Sequence, residues 1–362
     1  MTKRESEILQ LIKTNPLLSQ NAMALKLGIT RSSVAVHLSN LMKKGLIKGK
    51  GYIIDENPYV CVIGGANVDL VGFPKHKLIF RDANLGNFKI SMGGVGRNIA
   101  ENLVRLGLDT KLICVLGDDI YGKLVVENCE KIGIDIQDSL FLKNRQSSVH
   151  LAIMDDQNDL ALGLSAMDVY DEMTNHFIRK KKEQIKNAKL VILDTNISVE
   201  VLIWITENIP SQKYFLDAVS IVKSIKAKEI LKHLYMIKVN IAEAHALTNV
   251  NIKSLKDFKI AADFFHQKGI QEVFITQGEG GVFYSNSIVT SIIKPKTEQV
   301  VNTNGAGDAF VAGVVYGHII GEGIENSAKI GMACASMAIS HEDTVNPEIN
   351  ETTIKKITQI NV

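Results

Sequence analysis

Hydrophobic and polar positions follow two different rhythms along the chain, and the change between them falls near residue 56. Before it, apolar residues recur at helical spacing. Ile8, Leu11 and Ile12 share one face of a helix over 4–14, which Asn15-Pro16 stops. Ser19 is a suitable N-cap for a second helix, 20–27, closed by Gly28. Thr30 caps a third, 31–44, with Val34, Leu38 and Leu41 inward and Arg31, Ser32, Ser33, Ala35, His37 and Asn40 outward. Residues 46–54 have the pattern of a two-stranded wing. From Tyr59 onward, β-branched runs at 59–64, 111–116, 190–193, 214–216, 236–239 and 272–276 alternate with helical stretches near 97–106, 120–131, 174–187, 198–207, 224–233 and 255–268. That alternation predicts an open, mostly parallel sheet with helices on both faces, an α/β class. Segments 69–91 and 147–166 break the rhythm with period-two alternation and predict a small β-lid beside the main sheet.

Composition adds bounds. With 362 residues, 46% hydrophobic and 22% charged, the chain can bury a full core, and 1–56 and 57–362 are the expected domains. No apolar run reaches the length of a membrane span, and the N-terminus leads into an amphipathic helix, so neither a membrane segment nor a signal peptide is expected. Cys61, Cys114, Cys129 and Cys334 lie far apart without metal spacing, the pattern of reduced thiols in a cytoplasmic protein.

Charge divides the chain more sharply. Residues 1–54 carry nine basic side chains and two acids, a net +7, which leaves −5 for the rest of a chain at +2. A helix, a turn with Gly28 and a helix opening on small polar residues resemble a winged helix-turn-helix domain. Arg31, Ser32, Ser33 and His37 are then the candidate DNA contacts. A three-helix protein-interaction module is the alternative, and the basic balance favours phosphate.

The chemistry concentrates at 302–310, Asn-Thr-Asn-Gly-Ala-Gly-Asp-Ala-Phe, which follows a strand-like 298–301 and opens a helix over 306–319. Gly305, Ala306 and Gly307 present backbone N–H groups at a helix N-terminus, where the dipole favours anions. Asp308 stands in the first turn. An anion hole beside a carboxylate suits phosphoryl transfer to an alcohol, with the acid accepting the hydroxyl proton. Taken alone, the same residues fit a helix cap.

Asn304-Gly305-Ala306-Gly307-Asp308-Ala309 resembles the C-terminal signature of the ribokinase/PfkB family of carbohydrate and nucleoside kinases. Gly93-Gly94-Val95-Gly96-Arg97-Asn98-Ile99-Ala100 resembles its N-terminal signature, and Gly64-Gly65-Ala66-Asn67-Val68-Asp69 its sugar-binding segment. The family resemblance implies a ribokinase-like sheet with a β-lid, ATP with Mg²⁺, and dimerisation through the lid. It implies substrate contacts at Asn67, Asp69, Gly93, Gly94 and Asn98, with Asp308 and the Gly305–Gly307 turn catalytic. Lys238-Val239-Asn240-Ile241-Ala242-Glu243 resembles the segment that holds Mg²⁺ and phosphate, through Asn240 and Glu243. Thr276-Gln277-Gly278-Glu279-Gly280-Gly281 resembles the nucleotide turn, giving Thr276, Gly278 and Gly281. Asn302 replaces an Asp that helps build a monovalent-cation site in many relatives, which makes K⁺ activation doubtful. Residues 93–103, 217–223 and 336–347 are most similar to the pseudouridine-kinase branch, in which the lysine matching Lys223 reads the base. A solvated helix-start lysine is the plain alternative for Lys223. The implied reaction is transfer of phosphate to the 5′-hydroxyl of a ribosyl nucleoside. Another nucleoside, a furanose sugar, or a ligand-sensing regulator are the competing readings.

Overall fold

The computed structural model describes residues 2–14, 18–44, 46–47, 58–157, 159–295 and 300–360. The chain divides into two compact units, Met1–Glu56 and Asn57–Val362.

The first unit packs α1 (Lys3–Thr14), α2 (Gln20–Leu27) and α3 (Arg31–Lys43) around Ile8, Met23, Val34, Leu38 and Leu41. Ser19 Oγ accepts from Ala22 N, Gly28 closes α2 at φ 63°, and Thr30 Oγ1 accepts from Ser33 N. The wing pattern beyond Ile47 lies outside the described residues. Glu5 is enclosed, and the Lys44 ammonium at 2.6 Å, followed by the backbone of Thr2, holds its carboxyl down to about 2.

The second unit begins with β1 (Val60–Ile63), β2 (Asn67–Pro74), β3 (Gly86–Gly93), α4 (Val95–Arg105), β4 (Thr110–Ile113), β5 (Val115–Gly117) and α5 (Ile120–Ile132). It continues through β6 (Leu140–Leu142), β7 (Val149–Met154), β8 (Leu160–Ala166), α6 (Asn175–Arg179), α7 (Lys182–Asn187), β9 (Leu190–Asp194), α8 (Val199–Asn208), β10 (Tyr214–Asp217) and α9 (Ile221–Ser224). It ends with β11 (Met236–Asn240), α10 (Ile241–Thr248), α11 (Leu255–Gln267), β12 (Glu272–Thr276), β13 (Val282–Ser285), β14 (Thr290–Ile293), α12 (Ala306–Ile319), α13 (Ile324–Ile339) and α14 (Glu351–Thr358).

Eight strands form one sheet in the order β14-β13-β12-β11-β10-β9-β1-β4, parallel except for the β12-β13-β14 edge. Apolar clusters cover both faces, so central strands such as Leu-Val-Ile-Leu in β9 are buried throughout. β1 leads to β4 on one side and meets β9 on the other, which makes its carboxyl end a switch point where ligands bind in such sheets.

A second sheet, β3-β2-β7-β8, sorts its side chains by face. Ser91, Asp69, His150 and Ser165 stand in register as a polar row. Ile90, Leu70, Leu151 and Leu164 form an apolar row on the other face, flanked by Phe88 and Leu162. Phe88 is 72% exposed and Leu164 64%.

Several elements differ from the sequence expectation. The run 111–116 splits at Cys114, whose N–H bonds Ser139 Oγ, so β5 leaves the main sheet to pair with β6. The helix expected at 174–187 is two short ones, and Lys181 between them pairs with Asp138 at 2.9 Å. Most of 224–233 is 3₁₀ turn. Of the strand-like 298–301, residues 298 and 299 lie outside the described residues, and Val301 donates its N–H to Ile339 O. The β13–β14 hairpin had no expectation. All four cysteines are buried and unpaired, and no described helix is long and apolar enough to cross a membrane.

Candidate active site

Within the second unit, the residues marked by sequence follow the carboxyl ends of β1, β10, β11 and β12 or stand where β3 turns into α4 and where α12 opens. Gly94, at φ 96°, turns the chain from β3 into α4, where an added Cβ would stand 2.5 Å from Gly65 O. Gly93 packs against Asp69 so closely that a Cβ would lie 2.1 Å from its carboxylate. Asp69 accepts from Asn67 Nδ2 at 2.5 Å, and burial raises its pKa. Tyr170, fully enclosed, donates to Ala66 O at 3.0 Å and accepts from Ala66 N, which fixes the turn between β1 and β2.

α12 opens at Gly305, at φ 83°, whose missing Cβ leaves room for Thr344 O. Asp308 is buried in the first turn and accepts from Asn98 Nδ2 at 2.9 Å. Burial, then the neighbouring Asp217 charge, push its carboxyl up to about 8 against that bond and the Lys238 charge. Asn98 therefore engages the candidate base directly, where sequence gave it to substrate hydroxyls.

Lys238 is the principal residue that sequence reasoning passed over. It is buried on β11, in register with Asp217 on β10, and its Nζ lies 3.2 Å from Asp217 Oδ2. A Cβ on Gly307 would stand 3.0 Å from that Nζ, so the absence of a side chain there brings the cation against the first turn of α12. Burial opposes its charge, but Asp217, Glu243 and Asp308 outweigh burial and raise its pKa. A charged residue inside the apolar run Met-Ile-Lys-Val was the available signal, because a central strand admits a lysine only with a partner.

Asp194, at the end of β9, accepts from Gly65 N at 2.6 Å and Asn196 N at 2.8 Å. Asn196 Oδ1 in turn accepts from Lys223 Nζ at 2.6 Å, and Met167 Sδ lies 3.5 Å from the same ammonium. Burial lowers the pKa of Lys223, which is a held cation at the base of the small sheet and not a freely solvated one. The turn before it carries Val219 at φ 62°, unusual for a β-branched residue, with its N–H on Asp217 Oδ1.

Asn240 and Glu243 form a reciprocal capping box at the start of α10, with Glu243 Oε2 on Asn240 N and Oε1 on Asn240 Nδ2. Both carboxylate oxygens are engaged, and no cluster of three potential metal ligands occurs among the described residues. Any Mg²⁺ held here would meet this carboxylate across water, since both of its oxygens accept within the box. Thr276, Gly278 and Gly281 line a cleft of about 640 Å³ with Val282, Phe310, Met332 and Ile339, and Ala306 and Gly307 at the start of α12 also line it. Its apolar walls fit a nucleobase and its helix N-terminus a phosphate chain. Asn302 Nδ2 donates to Glu342 O and Asn302 Oδ1 accepts from Asn304 N, both at 3.0 Å, so a neutral amide spans the two loops beside Gly305.

In the first unit Arg31 and Ser32 are exposed, Ser33 and His37 half-buried, and both serine hydroxyls lie within 3.0 Å of Thr30 Oγ1.

An α/β sheet with a phosphate-ready helix N-terminus, a buried acid beside it and a polar row above defines a small-molecule kinase. Residues 57–351 match the pfkB family of carbohydrate kinases, and the chain belongs to that family. Residues 1–48 match the winged helix-turn-helix DNA-binding domain. The chain is 33% identical to an uncharacterized sugar kinase, YeiI, of Escherichia coli over 97% of each chain. It is 32% identical to the pseudouridine kinase of the same organism, over 82% of this chain and 95% of that one. A sugar kinase structure from Clostridium perfringens superposes with a TM-score of 0.77 at 34% identity, covering 84% of this chain and 96% of the other. The protein is thus a phosphotransferase with a sugar or nucleoside acceptor, preceded by a winged helix-turn-helix unit.

Proposed function

We propose that this kinase transfers the γ-phosphoryl group of ATP to the 5′-hydroxyl of pseudouridine. The observation that carries the reading is the cation of Lys223, held between Asn196 Oδ1 and the Sδ of Met167, the residue that follows β8 of the small sheet. An ammonium that gives one proton to Asn196 Oδ1 and one to Met167 Sδ keeps a third for the carbonyl edge of a uracil ring. Asp69 and Asn67 would bind the ribose hydroxyls, Asp308 would take the 5′-hydroxyl proton, and the N–H groups of Gly305–Gly307 with Lys238 would receive the transferring phosphoryl charge. Mg²⁺, near Asn240 and Glu243, supplies further positive charge to the phosphates when bound.

A plain furanose sugar is the second reading, because the sugar kinase YeiI matches over the N-terminal unit as well. A hydrogen bond to a charged group contributes roughly 1.5–3 kcal/mol. Pseudouridine is therefore expected to exceed ribose and adenosine in kcat/KM, and Lys223→Ala to narrow that preference by about ten- to a hundredfold. Equal or better turnover of ribose by the unaltered enzyme would sink the pseudouridine assignment and leave the kinase standing.

The N-terminal unit supports DNA binding. Winged helix-turn-helix proteins read paired half-sites as dimers, and the exposed apolar row of Ile90 and Leu164 with Phe88 and Leu162 offers a face for a second copy. DNA affinity is expected to fall by orders of magnitude between 50 and 200 mM salt through counterion release. Deleting residues 1–56 is expected to abolish it while catalysis persists. Leu162→Glu is expected to give monomers in sedimentation, with weakened DNA binding. Salt-insensitive binding, or a wild-type chain that is monomeric at every concentration, overturns the respective half of this picture.

A further inference from the structure

Arg97 lies inside the stretch that aligns with the substrate signature, yet nothing in the mechanism above uses it. It is 3% exposed, an unusual place for a guanidinium. Its Nη1 donates to Asn98 Oδ1 at 3.0 Å and to Met92 O at 3.3 Å, and its Nη2 to Asn128 Oδ1 at 2.7 Å and to Glu101. Glu101 Oε1 also accepts from Arg105 Nε and Nη2, at 2.9 and 2.6 Å, and Arg105 Nη1 reaches Pro347 O at 3.1 Å. A single chain of bonds thus runs from the 340–347 loop along α4 to Asn98, and from Asn98 Nδ2 to Asp308.

We infer that Arg97 is a positioning residue: by donating to the carbonyl of the Asn98 side chain it obliges the amide N–H to face Asp308. The logic is one of donors and acceptors. An arginine can only donate, so Asn98 Oδ1 must turn toward it, and Nδ2 is left for the carboxylate. Without Arg97 the carboxamide is free to rotate and present its oxygen to Asp308, which favours the protonated acid. The other charges facing Asp308 are Asp217 and Asp194 from the ends of β10 and β9 and Lys238 from β11, and Arg97 leaves those in place. The inference rests on Asp308 being the proton acceptor.

The test is the pH profile of kcat/KM for the nucleoside acceptor, which reports the free enzyme's base. Arg97→Met is expected to move the rising limb alkaline by about one unit, the scale of one charge-assisted hydrogen bond. Activity then falls about tenfold at pH 7 and approaches the wild-type plateau near pH 9.5. Arg97→Lys keeps one donor for Asn98 and is expected to restore most of the limb. If Arg97→Met does not fold, Arg97→Met with Glu101→Gln removes the buried pair as a unit and is read the same way. A uniform loss at every pH with an unmoved limb, in folded Arg97→Met or in folded Arg97→Met with Glu101→Gln, overturns the inference. Full activity of Asp308→Asn would instead remove the base assignment on which it stands, so the two failures are distinct.

Discussion

Asp308→Asn is expected to lower kcat by at least about two decades, the usual contribution of a general base, while the dissociation constant for the acceptor changes little. The substitution keeps the size of the side chain in its buried place on α12 and removes only the ability to accept a proton as a carboxylate. The wild-type carboxyl sits at about 8 because burial and Asp217 disfavour its charge, so the competent fraction grows as pH rises through that value. Wild-type kcat/KM should climb between pH 7 and 9, and the residual activity of Asp308→Asn should not follow it. The stability effect has the opposite sign. Folding raises this carboxyl's pKa, so between the ordinary carboxylate range and about 8 the unfolded chain ionises while the native state keeps its proton, and the native state loses stability as pH rises across that window. At pH 9 the variant should melt at or above the wild-type temperature, and below pH 4, where both forms are neutral, the difference should vanish. Turnover within a few-fold of wild type, measured by ADP release and paired with calorimetry of acceptor binding, removes Asp308 from the role.

Which parts of this site sequence exposes follows from physical chemistry. Gly93, Gly94 and Gly305 stand out because the backbone comes so close to other atoms there that a Cβ has no space, while at Gly307 a Cβ would stand 3.0 Å from Lys238 Nζ, and such glycines form short contiguous patterns. Asp308 stands out because it shares that pattern. The ends of β9 and β10 do not. Asp194 and Asp217 each follow an ordinary apolar strand, and what they hold, Gly65 N and Lys238 Nζ, lies 129 and 21 residues away. Pairings of that kind depend on strand order, which periodicity does not supply. The same reason hid Asn196, whose value comes from Lys223, 27 residues on and beyond both α8 and β10, and the antiparallel β13–β14 edge, whose short strands carry no alternation of their own. Parallel register did hold one clue. Lys238 in the middle of a buried strand demanded an acid on a neighbouring strand, and Asp217 is its direct partner.

That pair gives the second large effect. Lys238→Met is expected to lower kcat by about a hundred- to a thousandfold, the loss seen when one preorganised group is removed from a developing charge. It should also destabilise the fold, because Asp217 remains as a buried carboxylate without a cation, a change that costs roughly 3–5 kcal/mol. These two consequences separate in the double variant Asp217→Asn with Lys238→Met. Removing both charges relieves the stranded acid, so the melting temperature should return most of the way to wild type. Turnover should stay low, because no cation then faces the first turn of α12, where Gly307 leaves Lys238 Nζ its space. A lysine kept only to neutralise Asp217 predicts the reverse, with activity recovering alongside stability. Recovery of kcat to within tenfold of wild type in the double variant would therefore assign Lys238 to the fold and take it out of phosphoryl transfer.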